Sequence, residues 1–136
     1  MGAGRVVLDS GALSALAARN GRVRRFIERA IEEEAEIIVP TIVIAESTTG
    51  TARDAEVNRV LNAIGIGIVA LTESIARDAA WLRYTAARPR ADTIDAIVVA
   101  TGDASGPSII LTGDAGDLGS LAVIRGRCKV ISLTNS

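Results

Sequence analysis

The chain has 136 residues with 15 basic and 16 acidic side chains, and it contains no histidine and a single cysteine, Cys128. The length predicts one domain that spans residues 1–136. The cysteine and histidine counts exclude an internal disulfide, a Ser-His-Asp triad and a zinc site built from histidine or paired cysteines. Hydrophobic residues make up 49% of the chain and aromatic residues only 2%, so aliphatic side chains must form the core.

The start of the chain and its apolar runs give an expectation about location. Residues 1–5 lead straight into an apolar segment and lack the features of a signal peptide. The apolar runs are all shorter than the roughly 18 residues that a membrane-spanning helix needs. We therefore expect a cytoplasmic protein that does not contact the membrane.

Strand-like and helix-like segments alternate along the chain. Short aliphatic runs predict five strands, at Val6–Asp9, Ile37–Val39, Ile66–Leu71, Ile109–Thr112 and Lys129–Leu133. Apolar side chains every three or four residues predict helices at Ser10–Arg19 with Ser10 as the N-cap, Arg22–Glu36, Asp54–Ile64, Thr72–Ala87, Thr93–Ala104 and Ala115–Ile124. This order predicts an α/β fold, a three-layer α/β/α sandwich around a central parallel sheet of five strands.

Residues 41–49 fit two patterns. The run Ile42-Val43-Ile44 has β propensity, but a strand that continued through Pro40 would lose one ladder hydrogen bond. A helix that starts near Thr41 would place Glu46 one turn in. Propensity alone leaves both structures open for this segment.

Four acidic residues stand where predicted strands end or where the following helices begin. Asp9 and Asp114 close two strands, Glu46 follows the apolar run that ends at Pro40, and Asp95 opens a helix. Ligands of open parallel sheets lie outside the carboxyl ends of the strands, so we expect these side chains at one edge. Carboxylates that meet there cannot all ionise without a cation, and an all-oxygen set suits Mg2+. The sequence therefore predicts a metal site made of acids.

Each acid also has a purely structural interpretation. Asp92 with Asp95, and Asp114 with Asp117, have the three-residue spacing of helix-capping pairs. Asp9, after the first strand, fits a turn, and Glu46 fits an exposed position on a helix. Residue by residue these interpretations stay open, and it is the coincidence of four acids at one edge that favours a site.

Four segments resemble, in order and spacing, the motifs of PIN-domain ribonucleases, especially the VapC toxins of bacterial toxin–antitoxin pairs. The segments are Val7–Leu13, Val39–Glu46, Asp95–Ala100 and Leu111–Leu118. The resemblance implies a PIN-like fold with a helix over residues 41–49. It also implies an endoribonuclease that depends on Mg2+ or Mn2+.

The resemblance implies roles for individual residues. The catalytic acids would be Asp9, Glu46, Asp95 and Asp114. Of these, Asp9 and Asp95 would bind the metal ion directly. Thr112 and Asp117 would support them, with Asp117 as an alternative to Asp114. One residue departs from the family pattern, because members often carry a bulkier side chain where Gly113 stands.

The resemblance further implies three partners: RNA, a second copy of the chain, and a VapB-like antitoxin whose C-terminal segment crosses the active-site groove. An antitoxin arginine would pair with the acids through two hydrogen bonds. Trp81 and Tyr84 are the expected anchor of a homodimer, although Trp81 equally fits a place in the core. Six arginines fit either a phosphate-binding rim or simply solvated faces of the chain, and the solvated faces are the favoured interpretation: Arg22, Arg24, Arg25, Arg83, Arg88 and Arg90.

Three other interpretations are weighed against an active ribonuclease. A phosphoacceptor receiver domain also has acids at strand ends, but it needs an acidic pair after the first strand, and here Ser10 follows Asp9. A phosphatase of the haloacid-dehalogenase type needs Asp-x-Asp there, and Gly11 occupies the second position. A catalytically silent PIN scaffold that only binds RNA or protein stays open, although it would not require all four acids.

Overall fold

The computed structural model describes residues 4–63, 65–104, 106–113 and 115–133 of the chain. Within these residues one sheet contains five strands, all parallel, in the order β3-β2-β1-β4-β5. The strands are β1 Arg5–Leu8, β2 Glu36–Pro40, β3 Ile66–Val69, β4 Ser108–Thr112 and β5 Cys128–Ser132. The predicted parallel five-stranded sheet is therefore confirmed.

Helices cover both faces of this sheet. They are α1 Ser10–Ala17, α2 Gly21–Glu32, α3 Thr41–Ser47, α4 Ala55–Leu61, α5 Glu73–Thr85, α6 Thr93–Asp103 and α7 Gly116–Ala122. Helices α1, α2 and α4 pack together and against β2 and β3, whereas α6 packs against α5, α7 and the strands β1, β4 and β5. The three-layer α/β/α sandwich is confirmed. None of the helices in the described part of the chain combines the length and hydrophobicity that a membrane span requires.

The core consists of aliphatic side chains, as the composition predicts. Val6, Val7 and Leu8 of β1 are buried, because β1 lies between β2 and β4 in the middle of the sheet. Helix α6 is buried over eight consecutive residues, from Ala96 to Asp103. A helix that is apolar on all sides needs cover on all sides, and the sheet, α5 and α7 provide it.

The direction of the chain through the sheet reverses between β1 and β4. From β1 the chain moves outward to β2 and β3, then crosses back to β4 and continues to β5 on the other side. The adjacent strands β1 and β4 therefore form the topological switch point of the sheet. In open α/β sheets, ligands bind outside the carboxyl ends of the strands at this point.

Several predicted boundaries differ from the observed ones. The residue that caps α1 is Asp9 and not Ser10, because the Asp9 Oδ1 atom accepts a hydrogen bond of 2.9 Å from the backbone N–H of Ala12. Helix α2 ends at Glu32 and not at Glu36, since Glu34 adopts a left-handed conformation with φ of 65°. Residues 41–49 contain helix α3, as the resemblance implies.

Candidate active site

The centre of the site lies at the switch point, where the chain leaves β1 and β4. Asp9 directly follows β1, and its backbone N–H donates a hydrogen bond of 3.2 Å to the carbonyl oxygen of Leu111 in β4. Its buried side chain uses both oxygens: Oδ1 accepts from Ala12 N–H, and Oδ2 accepts from the hydroxyl of Thr112. These bonds fix the Asp9 carboxylate in one orientation, with lone pairs left over for a further ligand.

Two opposing effects act on the acidity of Asp9. Burial raises the pKa of its carboxyl group, and the nearby carboxylate of Glu46 adds to this rise. Hydrogen bonds from Thr112, Ala12 and Gly113 lower the pKa, but the net shift is upward. The Asp9 carboxylate is therefore held where a cation would stabilise its ionised form.

A contact between two glycines brings the first turn of α1, which follows β1, close to the residue that follows β4. A Cβ atom added at Gly11 would lie 2.8 Å from the Cα atom of Gly113, and one added at Gly113 would lie 3.1 Å from the Cα atom of Gly11. Only hydrogen fits between the two backbones. The departure from the family pattern at Gly113 thus has a physical reason, because a bulkier residue there would push away the loop that carries Asp9.

Replacing Gly11 with alanine should lower the free energy of unfolding by about 1–3 kcal/mol, since the added methyl group would overlap with backbone atoms. Urea denaturation followed by circular dichroism measures this change. Gly119→Ala is the matched control, because a Cβ atom there meets nothing within 4 Å and alanine favours the helix. Equal stabilities of the Gly11→Ala variant and the parent would contradict the tight contact.

Asp95 lies in the first turn of α6 and is half-buried among other carboxylates. Burial, followed by the charges of Asp92, Asp9, Asp117 and Glu46, raises the pKa of Asp95 to about 6. Carboxylate oxygens of Asp92, Asp95 and Asp117 lie within 4.8 Å of one another. Five acids from four separate segments thus form one cluster, which we call the acidic pocket. Asp9, Glu46 and Asp95 belong to the catalytic acids expected from the sequence, and Asp117 was expected as a supporting residue.

The structure corrects two interpretations of these acids. Asp92 occupies the N-cap position of α6, but its side chain makes no capping hydrogen bond, so the predicted capping pair with Asp95 is wrong. The same holds at α7, where Ala115 is the N-cap and Asp117 pairs with Arg88. Glu46 lies one turn into α3, as a helix that starts near Thr41 implies, and this is also the last turn because the helix ends at Ser47. Asp114 lies outside the described residues.

Arg88, in the loop before α6, contacts Asp92 and Asp117, which the sequence had also allowed as members of helix-capping pairs. Its Nε atom lies 2.7 Å from Oδ2 of Asp92, and its Nη2 atom lies 2.5 Å from Oδ1 of Asp117. The other arginines of the candidate rim are spread out. For example, Arg83 donates to the hydroxyl of Thr93 at 2.8 Å, and Arg24 pairs with Glu28 on α2.

The donor set suits a hard divalent cation. It contains only carboxylate and hydroxyl oxygens, and the chain has no histidine to add a nitrogen ligand. Burial is the main cause of the raised pKa values of Asp9 and Asp95, and the charges of neighbouring acids add to it, so a cation would favour the ionised form of both groups. By contrast, an apolar cavity of about 370 Å3 beside Phe26 and Pro107 opens at the opposite edge of the sheet, away from the acids.

Comparison with known proteins agrees with this architecture. The model of the PIN domain family matches residues 6–122, a span that runs from β1 through α7 and includes all five acids of the pocket. A search of curated proteins gives no match. The chain belongs to the PIN domain family, whose members are generally metal-dependent nucleases.

Proposed function

We propose that this chain is a metal-dependent endoribonuclease that hydrolyses phosphodiester bonds of RNA, with residues 1–136 as one nuclease domain. The observation that supports this most directly is the half-buried carboxylate of Asp95, which lies among the negative charges of Asp9, Glu46, Asp92 and Asp117. Such a cluster is costly for the folded chain unless a cation binds. Its place at the switch point of the sheet is where a ligand is expected.

We assign roles from the geometry and from the family. Asp9 and Asp95 are the proposed direct ligands of Mg2+ or Mn2+, and Glu46 and Asp114 complete the catalytic acids. Thr112 acts through Asp9, since its hydroxyl bond keeps that carboxylate oriented. A bound ion would lower the pKa of a water molecule and stabilise negative charge on the phosphate.

The activity is tested with labelled single-stranded RNA. We expect internal cleavage with Mg2+ or Mn2+ and none with EDTA, and the same sequence as DNA serves as the control for substrate class. A folded chain that binds the RNA without cutting it under any of these conditions would favour the silent scaffold. A chain that cuts only the DNA would overturn the assignment of RNA as substrate.

Metal binding should be visible without any substrate. Mg2+ or Mn2+ at 100 times its dissociation constant should stabilise the fold by about 2.7 kcal/mol, because only the folded chain assembles the acids. Differential scanning fluorimetry with and without millimolar Mg2+ measures the resulting rise in Tm. No shift in Tm with either Mg2+ or Mn2+ would count against an oxygen-ligated site.

We further propose that the chain is the toxin of a toxin–antitoxin pair and acts in the cytoplasm. The contact between Arg88 and the acids supports this, because it shows that the pocket accepts a guanidinium group of the kind that a VapB-like antitoxin would insert. Expression of the chain should slow bacterial growth, and co-expression of the upstream gene should restore it. If the parent and an Asp9→Ala variant are equally harmless at equal protein levels, the toxin role is wrong.

A homodimer through α5 is the proposed assembly. The structure leaves Trp81 48% exposed and Tyr84 84% exposed, so Trp81 does not lie in the core. Arg125 stacks over the Trp81 ring, with its Cζ atom 4.9 Å from the ring centroid. Val123, the C-cap of α7, is also exposed. Light scattering at tens of micromolar chain should give the mass of a dimer, and a monomer would contradict the proposal.

A further inference from the structure

The loop between α5 and α6 is shaped so that Arg88 enters the acidic pocket. Helix α5 ends at Thr85 with Ala86 as its C-cap, and the next residue, Ala87, is left-handed with φ of 55°. The backbone N–H of Arg88 donates to the carbonyl oxygen of Arg83 at 2.9 Å. This arrangement closes the end of the helix. Pro89 follows and fixes the next backbone angle. The backbone thus turns sharply at Arg88 and directs its side chain back toward α6 and α7.

The guanidinium of Arg88 is bound by two carboxylates from different elements. Nε pairs with Asp92, just before α6, and Nη2 pairs with Asp117 in the first turn of α7. The Arg88 side chain is only 28% exposed and that of Asp92 only 9%. Asp117 is 51% exposed, so only the pair with Asp92 is shielded from solvent and stronger than an exposed surface ion pair.

The same two carboxylates are part of the place where a cation would bind. Asp92 and Asp117, together with Asp95, are the three acids whose oxygens lie within 4.8 Å of one another. Arg88 already pairs with one oxygen of Asp92 and one oxygen of Asp117, and each of these carboxylates keeps a second oxygen. A divalent ion on these acids would stand next to the permanent positive charge of Arg88. The guanidinium therefore lowers the affinity of these acids for a divalent ion.

Asp9 and Glu46 are not among the partners of Arg88 within the described residues. Nucleases with two metal ions hold the ions about 3.5–4 Å apart, as neighbours in one pocket. Asp9, Glu46 and Asp95 make no ion pair with Arg88, whereas Asp92 and Asp117 already have a cation in the form of a guanidinium.

We propose that Arg88 fills the second cation position of this pocket, so that the chain takes a single divalent ion on the side of Asp9 and Asp95. This inference rests on the proposed metal-dependent function and specifies how many ions that function uses. Arg88 is then a positioning residue: it neutralises Asp92 and Asp117 and confines the ion to the remaining acids.

The number of bound ions distinguishes this role from simple structural support. Equilibrium dialysis with Mn2+, followed by electron paramagnetic resonance of the free ion, counts ions per chain without any substrate. We expect one Mn2+ for the parent and two for Arg88→Met. Arg88→Lys keeps a positive charge and should bind one. Arg77→Met removes an exposed arginine from α5 that pairs with Glu73, so this control should also bind one.

Two outcomes would overturn this inference and leave the proposed metal-dependent function intact. They are two ions on the parent, or one ion of unchanged affinity on Arg88→Met. If neither chain binds Mn2+ at millimolar concentration, both the inference and the proposed metal-dependent function are wrong. Circular dichroism first establishes that each variant is folded. Should Arg88→Met fail to fold, Arg88→Gln retains a hydrogen-bond donor for Asp92 without the charge, and the expected count is again two.

Discussion

Replacement of Asp95 with asparagine should lower the rate of RNA cleavage by at least about 100-fold, the loss expected when a charge that stabilises the transition state is removed. Asparagine keeps the size of the side chain and one oxygen but cannot balance the charge of a divalent ion. Asp95 interacts electrostatically with all four other acids of the pocket, so its replacement should weaken metal binding more than replacement of any one of them. Single-turnover cleavage of labelled RNA at saturating Mg2+ measures the change.

The same variant should be at least as stable as the parent when no metal is bound. Burial and then the charges of four carboxylates raise the pKa of Asp95, and a neutral amide removes both the cost of burying a charge and the repulsion. Asp78→Asn is the matched control, because Asp78 is an aspartate on α5 that pairs with Arg125 at 3.5 Å, outside the pocket. A folded Asp95→Asn protein that cleaves RNA as fast as the parent would show that Asp95 is only a structural residue of α6.

The fold and part of the site could be predicted because they follow from local patterns. Strands such as β1 are aliphatic runs, and the acid after such a run lies at the carboxyl edge of a parallel sheet by topology alone. This reasoning places Asp9 near the switch point. It also places Asp95, because a helix that is apolar throughout must be buried and its first turn faces the same edge.

The parts that could not be predicted depend on contacts between distant segments. The spacing of Asp92 and Asp95 suggested a helix cap, whereas the structure pairs Asp92 with Arg88 through a loop shaped by the left-handed Ala87. Gly11 and Gly113 are in contact although they lie about a hundred positions apart in the chain, and nothing in the local sequence indicates this contact. The sequence places Arg88 shortly before the acidic start of α6, which fits an ion pair with Asp92. It fits a solvent-exposed loop equally well.

The pH dependence of stability should reveal Asp95 directly. Its pKa is about 6 in the folded chain against 3.8 in the unfolded chain, so the folded state binds more protons between these values. Stability therefore falls as pH rises through this range, and the contribution of Asp95 is fully present below about pH 4 and lost above about pH 6. We expect the metal-free protein to have a higher Tm near pH 5 than near pH 7.5.

Other acids with shifted pKa values also change the Tm of the parent protein with pH, so that Tm alone does not isolate the contribution of Asp95. Asp9 and Asp103 also have raised pKa values and add the same trend, whereas Asp54 and Glu56 have lowered values and oppose it. The test is therefore the difference in Tm between the parent and Asp95→Asn, measured in EDTA across this range. That difference should grow in favour of the variant as pH rises. Parallel curves for the two proteins would show that Asp95 does not titrate there.

Mg2+ should reverse this pH dependence. A metal ion must displace the proton of Asp95, so below about pH 6 its affinity should fall about tenfold for each pH unit if one proton is released. Added Mg2+ should then raise Tm strongly near pH 7.5 and little near pH 5, although the metal-free chain is more stable at the lower pH. An equal Mg2+ effect at both values would place the ion away from Asp95, because a site on that carboxylate cannot bind metal without releasing its proton.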